Sequence, residues 1–380
     1  MTFFHFKCAY RHCYSEITNY LRRKIMKEFE VIEINASTPF ERGVQYGKAA
    51  ADKIVAGVNN YRAYFESKGR TWEQTKKLAM AFVPDIEAAM PDVLEEAKGI
   101  AEGAGVEFEG LMVLNTRYEL TNYPIDATPE CTTGAVLPEA AKDNVMYMVK
   151  NWDYKVGVLD KIVLLHIVQE DGTRIFGLTE AGQMVREGFN SHGVALFNNM
   201  IASVYDGPGG GIPVCFLRRK VLSCKTFDEA YQWITGIKRS VSNNSLLGSG
   251  AENRAIDIEC SPVGCDLIKP IAGIVTHANH FSVDPEKDTR SLVSMWKNRQ
   301  VRLAELLYQQ YGNITVEYIQ QCMKDHQYYP DSICNHNNSG DPNDMDGYMT
   351  VASIIVDFAN DAAYVCKGNP CEGEYKKYLI

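Results

Sequence analysis

The first third of the chain carries the hydrophobic and polar pattern of a helical region. Residues 38–41 (TPFE) have the form of a capping box with proline at the first helical position, and residues 71–74 (TWEQ) repeat the box. The first box predicts a helix that runs to about Ser67. The second opens a helical region that we expect to be interrupted near Pro84 and Pro91. The first third is therefore predicted to be mainly helical.

After residue 131 the pattern changes to short apolar or alternating runs, which are typical of strands. Asp171-Gly172 favours a two-residue hairpin, and Asn-Ser-His-Gly at 190–193 favours another tight turn. Helices and antiparallel strands thus alternate in blocks, which predicts a layered α+β protein with stacked sheets. The predicted later helices are 213–222, 227–234 and 292–311, and the predicted strands are 145–149, 162–168, 174–178, 194–197, 255–259, 272–276, 351–357 and 362–366.

The composition is that of a globular protein and excludes two classes of partner. The 380 residues are 46% hydrophobic and 23% charged, which allows one large core or two smaller ones. The net charge is −9 and the basic runs, at 22–24 and 218–220, are short, so we expect no nucleic-acid partner. The longest apolar stretches are only long enough for strands, so we expect no membrane span.

The N-terminal segment lacks the order of basic region, apolar region and small-residue cleavage site that export requires. We therefore expect the protein to be cytoplasmic. Residues 1–25 also show no clear hydrophobic period, whereas the ordered pattern starts at about Met26. We interpret residues 1–25 as a non-native or mis-annotated extension, with translation starting at Met26.

Eleven cysteines are scattered along the chain without a C-x-x-C pair, and we interpret most of them as reduced, buried thiols. Zinc is a rival interpretation for Cys366 with Cys371, or for His277 with His280. Neither pair is joined by further ligands at the spacing of structural zinc sites. We therefore expect no metal ion and no cofactor.

Three short motifs carry side chains suited to acyl transfer: Cys131 in PECTTG (129–134), NWD at 151–153, and THANHF at 276–281. A cysteine by itself is more often a buried strand residue. In this order, however, the motifs resemble those of the acyl-CoA:6-aminopenicillanic acid acyltransferase (isopenicillin N acyltransferase) family of N-terminal-nucleophile (Ntn) hydrolases. Further matches in the same order lie at 39–47, 115–119, 188–194 and 297–303.

The resemblance implies a four-layer αββα sandwich made as an inactive precursor. The chain would cut itself between Glu130 and Cys131, giving a helical pro-segment or α chain of residues 26–130 and a catalytic β chain of residues 131–380. The two chains of one precursor would then be partners in a single domain. The family often has glycine before the nucleophile, so Glu130 is a departure that bears on the rate of cleavage.

The resemblance also assigns roles to individual residues. Asp153 would hold the new α-amine, and Asn279 would donate a hydrogen bond to the oxyanion. Arg299 would pair with Asp153 or position the substrate, with Arg302 as the alternative in a loose local match. Thr133 would support processing. Each has a plainer interpretation: a turn aspartate, a loop asparagine, an exposed helix arginine and a strand threonine.

His277 and His280 flank Asn279, and we interpret them as structural hydrogen-bonding residues. The chemistry needs no catalytic histidine, because the α-amine beside the Cys131 thiol serves as its base.

These roles predict an enzyme that cleaves or transfers acyl groups at linear amide bonds, with a small acyl amide or acyl thioester as substrate. Hydrolysis is the first choice, because no Gly-rich loop or basic cluster offers a coenzyme A phosphate site. The alternatives are an amidase similar to choloylglycine hydrolases, an acyl-CoA-dependent N-acyltransferase, and a binding protein that keeps the fold but is never processed. A chain that stays uncut on a denaturing gel would favour the binding protein.

Overall fold

The computed structural model describes residues 28–121, 131–289, 295–337 and 346–380. The extension expected at 1–25 and the proposed cleavage partner Glu130 lie outside the described residues. The helices are α1 (Pro39–Ala49), α2 (Ala51–Ser67), α3 (Trp72–Met80), α4 (Val83–Ala89), α5 (Pro91–Ala104), α6 (Phe108–Asn115), α7 (Arg117–Leu120), α8 (Val214–Val221), α9 (Phe227–Gly236), α10 (Met295–Gln309) and α11 (Val316–Cys322).

The strands form two sheets. They are β1 (Glu30–Ile34), β2 (Thr132–Val136), β3 (Tyr147–Lys155), β4 (Ile162–Val168), β5 (Arg174–Glu180), β6 (Glu187–Asn190), β7 (Val194–Asn199), β8 (Asn243–Ser249), β9 (Arg254–Ser261), β10 (Gly264–Ile268), β11 (Ile274–His277), β12 (Tyr348–Asp357), β13 (Ala362–Lys367) and β14 (Lys376–Leu379). One sheet has eight strands in the order β1-β4-β5-β6-β7-β8-β9-β10, and the other has six in the order β11-β2-β3-β12-β13-β14. The pairing is antiparallel throughout except between β1 and β4.

Three apolar cores separate four layers. The first lies between the early helices and the eight-stranded sheet, the second lies between the two sheets, and the third lies between the six-stranded sheet and α10 with α11. Strand β3 shows why: Met148 enters the core between the sheets, while its neighbour Val149 enters the core under Leu303 of α10. The arrangement confirms the predicted αββα sandwich.

Both predicted capping boxes are present, with Thr38 and Thr71 accepting hydrogen bonds from the backbone three residues on. The single helix predicted from residue 39 to 67 is wrong, because the backbone leaves helical geometry at Ala50 (φ −110°, ψ 16°). Helix α1 lies against α5 so closely that a Cβ on Gly43 would stand 2.1 Å from the carbonyl oxygen of Glu96. This tight tertiary contact sets the direction of α1, and the chain turns before α2 begins.

Among the elements that were not predicted are the strands β1, β2, β6, β8, β10 and β14 and the helix α11. Strand β1 lies in the region predicted to be helical, and it exists because it pairs with β4, far along the chain. The predicted strand 145–149 is also too short. Strand β3 continues to Lys155, so the NWD motif at 151–153 lies inside a strand and its aspartate is not a turn residue.

Cys260 and Cys265 form a disulfide across the β9–β10 hairpin, so these two are exceptions to the expectation of reduced thiols. Six other described cysteines are free thiols: Cys215, Cys224, Cys322, Cys334, Cys366 and Cys371. None of the helices described here is both long enough and apolar enough to cross a membrane.

Candidate active site

Cys131 stands immediately before β2, with 3% of its surface exposed, and it packs in the core between the sheets together with Trp152. Its φ of 64° lies in the left-handed region, which costs residues other than glycine about 1–3 kcal/mol. The angle φ is the torsion about the N–Cα bond of Cys131, and it is measured from the carbonyl carbon of the preceding residue. Cutting the peptide bond before Cys131 would therefore abolish the constraint.

Strand pairing brings two further predicted residues to Cys131. The last residue of β11, His277, pairs with the second residue of β2, so continuing the register places Asn279 across from Cys131. On the other side, β3 pairs with β2 so that the NWD motif runs past the start of β2 and carries Asp153 beyond it. Three segments distant in sequence thus meet at one end of the six-stranded sheet.

Asn279 and Arg299 are joined by a hydrogen bond, and both side chains are fully buried. Arg299 Nη2 donates to Asn279 Oδ1 at 2.8 Å, and Asn279 Nδ2 donates to the backbone oxygen of Met200 at 2.9 Å. A guanidinium can only donate, so it determines which end of the amide is the oxygen. The donor end of Asn279 is thereby oriented by Arg299.

Asp153 is fully buried, and its Oδ1 accepts a hydrogen bond from the Thr350 hydroxyl at 2.6 Å. Burial raises the pKa of Asp153 to about 7, although the nearby charge of Arg299 and the Thr350 hydrogen bond oppose the shift. No described donor meets hydrogen-bond geometry at the other carboxylate oxygen, Oδ2, which is buried, although the Asn335 side chain lies close enough to help lower the pKa of Asp153. An additional hydrogen-bond donor beside Asp153 would remove the free-energy penalty of burying that acceptor without a hydrogen bond.

The structure separates the two arginines that the sequence left as alternatives. Arg299 is buried beside Asn279, whereas Arg302 is 19% exposed on its side chain and pairs with Asp325 at 2.8 Å. Arg299 is therefore the arginine that shares the site with Asp153.

Thr133 belongs to a polar network in the space between the sheets. Its hydroxyl accepts a hydrogen bond from Asn199 Nδ2 at 2.8 Å, and Asn199 Nδ2 also lies 3.3 Å from Nδ1 of His277. His277 Nε2 in turn lies 2.8 Å from Glu259. Burial lowers the pKa of His277, but Asp257 and Glu259 outweigh this effect and the pKa is raised. The network ties β2 to the eight-stranded sheet.

Sequence reasoning missed Lys150, a fully buried lysine on β3. Its Nζ hydrogen-bonds Glu187 of β6 and the backbone oxygen of Asn198 of β7, so the ion pair bridges the two sheets. Burial raises the pKa of Glu187, but Lys150 and Arg186 outweigh it and the pKa is lowered. Alternation along β3 could have revealed this lysine, because it points to the same side as Trp152.

A cavity of about 620 Å³ lies next to the site. Tyrosine rings dominate its wall, with Arg117 and Glu180 as an ion pair at 2.7 Å. Met200 also lines it, and the backbone oxygen of Met200 is the atom that accepts from Asn279. The cavity therefore reaches the same backbone segment that Asn279 contacts. The tyrosines are Tyr61, Tyr64, Tyr118, Tyr154 and Tyr348.

Comparison with known proteins gives matches over most of the chain. The family model described as acyl-coenzyme A:6-aminopenicillanic acid acyl-transferase matches residues 140–372, a range that contains Asp153, Asn279 and Arg299 and starts after Cys131. A relative from Emericella nidulans, the acyl-coenzyme A:6-aminopenicillanic-acid-acyltransferase 40 kDa form, is 27% identical over 338 residues, which cover 88% of this chain and 91% of the relative.

Two solved structures are also similar. One is a Caenorhabditis elegans N-acylethanolamine-hydrolyzing acid amidase ortholog, with a TM-score of 0.44 and 14% identity over 66% of this chain and 100% of the other. The second is a mutant conjugated bile acid hydrolase from Clostridium perfringens, with a TM-score of 0.43 and 12% identity over 66% of this chain and 97% of the other.

Proposed function

This chain belongs to the acyl-coenzyme A:6-aminopenicillanic acid acyl-transferase family, and from that premise we propose that it is a self-processing cysteine Ntn enzyme. The protein is an enzyme of acyl chemistry at amide bonds. In our proposal it hydrolyses a linear amide through a thioester on Cys131. The observation that carries the proposal is the meeting of Cys131, Asp153 and Asn279 at one end of the six-stranded sheet, with Arg299 behind them.

Processing would use the same thiol that later performs turnover. The Cys131 sulfur attacks the carbonyl carbon of Glu130, the C–N bond breaks, and the proton of the thiol ends on the new α-amine. Water then hydrolyses the thioester and leaves Glu130 as a carboxylate. The left-handed φ of Cys131 favours this outcome, because the strain disappears with the bond.

In turnover, the free α-amine of Cys131 would act as the general base. An α-amine has an ordinary pKa of about 7.7–8.0, so it can accept the thiol proton near neutral pH. The thiolate attacks the substrate carbonyl, the amine of the substrate leaves with a proton, and water releases the acyl group. Asn279 would donate to the oxyanion in both steps.

Asp153 is suited to hold the α-amine. Its Oδ2 is a buried acceptor at which no described donor meets hydrogen-bond geometry. A new α-ammonium group would supply that donor, and its positive charge would favour the carboxylate form of Asp153. We infer that the burial which raises the pKa of Asp153 to about 7 in the uncut chain is offset once the amine forms.

The cavity beside Met200 is the proposed substrate site. Its volume of about 620 Å³ is in the range of small-molecule sites, and its tyrosine-rich wall offers apolar surface together with hydroxyl groups. The walls suit an acyl amide with an apolar portion.

Purified recombinant protein is expected to separate into two chains on a denaturing gel. In proportion to residues 1–130 and 131–380, a mass of 42.6 kDa divides into pieces of about 15 and 28 kDa. N-terminal sequencing should read Cys-Thr-Thr-Gly on the larger piece. A different new N-terminus would refute Cys131 as the processing residue, and a single full-length chain would favour the binding-protein alternative.

Replacing Asp153 by asparagine is expected to shift the pH profile of the processed enzyme. The carboxylate favours the protonated α-amine, so its removal lowers the pKa of the amine. Activity requires the unprotonated amine, so the acidic limb of the profile should move to lower pH while the maximum rate falls through lost orientation. The measurement is kcat/KM against pH. A profile unchanged in position and height would remove Asp153 from the site.

A further inference from the structure

Outside the candidate active site, two histidines and two cysteines converge near the end of the chain. The side-chain nitrogen or sulfur atoms of His326, Cys334, His336 and Cys371 all lie within 4.8 Å of one another. The nearest pairs are His326 Nε2 and His336 Nε2 at 3.0 Å, Cys371 Sγ and His336 Nε2 at 3.3 Å, and the two sulfurs at 3.5 Å. The sequence suggests Cys371 as a ligand only together with Cys366, because the other three residues of the cluster lie at least 35 residues earlier in the chain.

Backbone hydrogen bonds build the cluster from two loops. In the loop after α11, the amide of Cys334 donates to the oxygen of Asp325 at 3.0 Å, which closes a loop and sets His326 beside Cys334. In the loop between β13 and β14, the amide of Glu372 donates to the oxygen of Asn369 at 3.0 Å, which turns the preceding Cys371 toward them. The side chains are thus positioned by the fold before any ligand binds.

The ligand set and the spacing match a tetrahedral metal. Zinc bonds of about 2.3 Å to sulfur and about 2.0–2.1 Å to nitrogen place tetrahedral ligand atoms about 3.3–3.8 Å apart. The observed separations between nearest atoms are 3.0–3.7 Å. We propose that His326, Cys334, His336 and Cys371 form a Cys₂His₂ site for a zinc ion.

Neighbouring groups support coordination. Asn369 Nδ2 donates to Cys334 Sγ at 3.5 Å, a contact that favours a sulfur carrying negative charge. Nδ1 of His336 lies 3.8 Å from a carboxylate oxygen of Glu372, while Nε2 faces the cluster. This separation is longer than a hydrogen bond, so the contact is electrostatic, and it favours the tautomer with its proton on Nδ1, whose Nε2 can bind the ion.

Zinc binding is balanced by the release of two protons from the protein. Zn²⁺ displaces one proton from each of the two thiols, the neutral imidazoles bind through their lone pairs, and the completed site carries no net charge. All four positions of the tetrahedron are filled by protein, which is the character of a structural site and leaves no place for a substrate. His326 is exposed, so an ion can reach the site from solvent.

The site would hold a segment that leads to the candidate active site. Asn335, between two of the ligands, exchanges hydrogen bonds with Thr350: its amide donates to the Thr350 hydroxyl oxygen and its carbonyl accepts from the Thr350 amide, each at 2.9 Å. The Thr350 hydroxyl then donates to Asp153. An effect of zinc on catalysis would follow from this chain of contacts and rests on the proposed function, whereas zinc binding itself does not.

Protein produced without a metal-affinity tag is expected to contain about one zinc ion per chain by elemental mass spectrometry. Cys334→Ser and Cys371→Ser should each lose most of that zinc. Cys366→Ser is the matched control, because Cys366 is a buried free thiol five residues before Cys371 and outside the cluster, and it should keep the full content. Cobalt loaded in place of zinc should show the visible absorption of tetrahedral coordination by two thiolates.

Three outcomes would overturn the site. The first is wild-type protein that contains no zinc, binds none when zinc is added, and keeps its Tm when a chelator is added. The others are a Cys334–Cys371 disulfide found by peptide mapping and full zinc content in both cysteine variants. If the variants fold poorly, titration of the wild-type protein with zinc still tests the site, because it needs no substitution. The zinc measurement is repeated on the Cys131→Ala chain, so a failure of the proposed catalysis is distinguished from a failure of the metal site.

Discussion

Cys131→Ala is expected to yield one uncut, folded chain without acyl-transfer activity. Without the sulfur nothing can attack the carbonyl of Glu130, and no thioester can form in turnover. The substitution removes a single atom from the core between the sheets, so the fold should survive. Denaturing gels report the cut, thermal unfolding reports the fold, and hydrolysis of a panel of N-acyl amides reports activity.

Two further variants sharpen that result. Cys131→Ser should be cut slowly, because a hydroxyl can undergo the same acyl shift but is the poorer nucleophile. Cys215→Ala tests whether any buried thiol would matter: Cys215 is a free, fully buried cysteine on α8, so this variant should still be cut. Normal cutting or substantial hydrolysis by Cys131→Ala would show that the nucleophile lies elsewhere.

Asn279→Ala should lower kcat of already processed enzyme by about a hundredfold or more, with little change in KM. A single oxyanion donor contributes about 3–4 kcal/mol to the transition state and little to the bound substrate. Arg299 orients the amide so that Nδ2 is the donor end. The measurement is steady-state kinetics on the two-chain form, after comparison of Tm with wild type.

Asn151→Ala is the matched control for a buried asparagine. Its Nδ2 donates to the backbone oxygens of Met323 and Ile333, so its loss should lower Tm, whereas kcat should stay close to the wild-type value. A processed Asn279→Ala enzyme with wild-type kcat, or one that loses only affinity, would remove Asn279 from the oxyanion role.

Local sequence signals were reliable where the governing contacts are a few residues apart. The threonine caps at 38 and 71 and the hairpin between β4 and β5 were predicted correctly, because caps and tight turns are decided by neighbouring backbone and side-chain groups. The two-residue turn itself was wrong: Gln169 pairs with Thr173, so the loop has three residues, and Gly172 alone takes the positive φ, 82°. The αββα sandwich was predicted through family resemblance. Strand β1 was missed, because a short edge strand in a helical region exists only through its distant partner β4.

Some candidate catalytic residues were proposed from the sequence, and one was chosen only by the tertiary structure. The sequence motifs proposed Cys131, Asp153 and Asn279 in order along the chain, but they left Arg299 and Arg302 as alternatives. That choice needed the packing of α10, which buries Arg299 against Asn279 and leaves Arg302 with Asp325. A loose local match cannot distinguish two arginines three residues apart, whereas burial does.

Hydrophobic periodicity and local caps were sufficient to predict a layered α+β protein, because they depend on residue types and short-range spacing. The αββα sandwich and the kind of chemistry came from the family resemblance that the order of the motifs carries. Three features required the folded chain: the buried Lys150–Glu187 pair between the sheets, the open oxygen of Asp153, and the Cys₂His₂ cluster around Cys334. The ion pair and the cluster join side chains from separate segments of the chain, and all three features depend on how burial arranges the polar atoms. The spacing of residues along the chain does not determine which polar atoms meet in the folded protein.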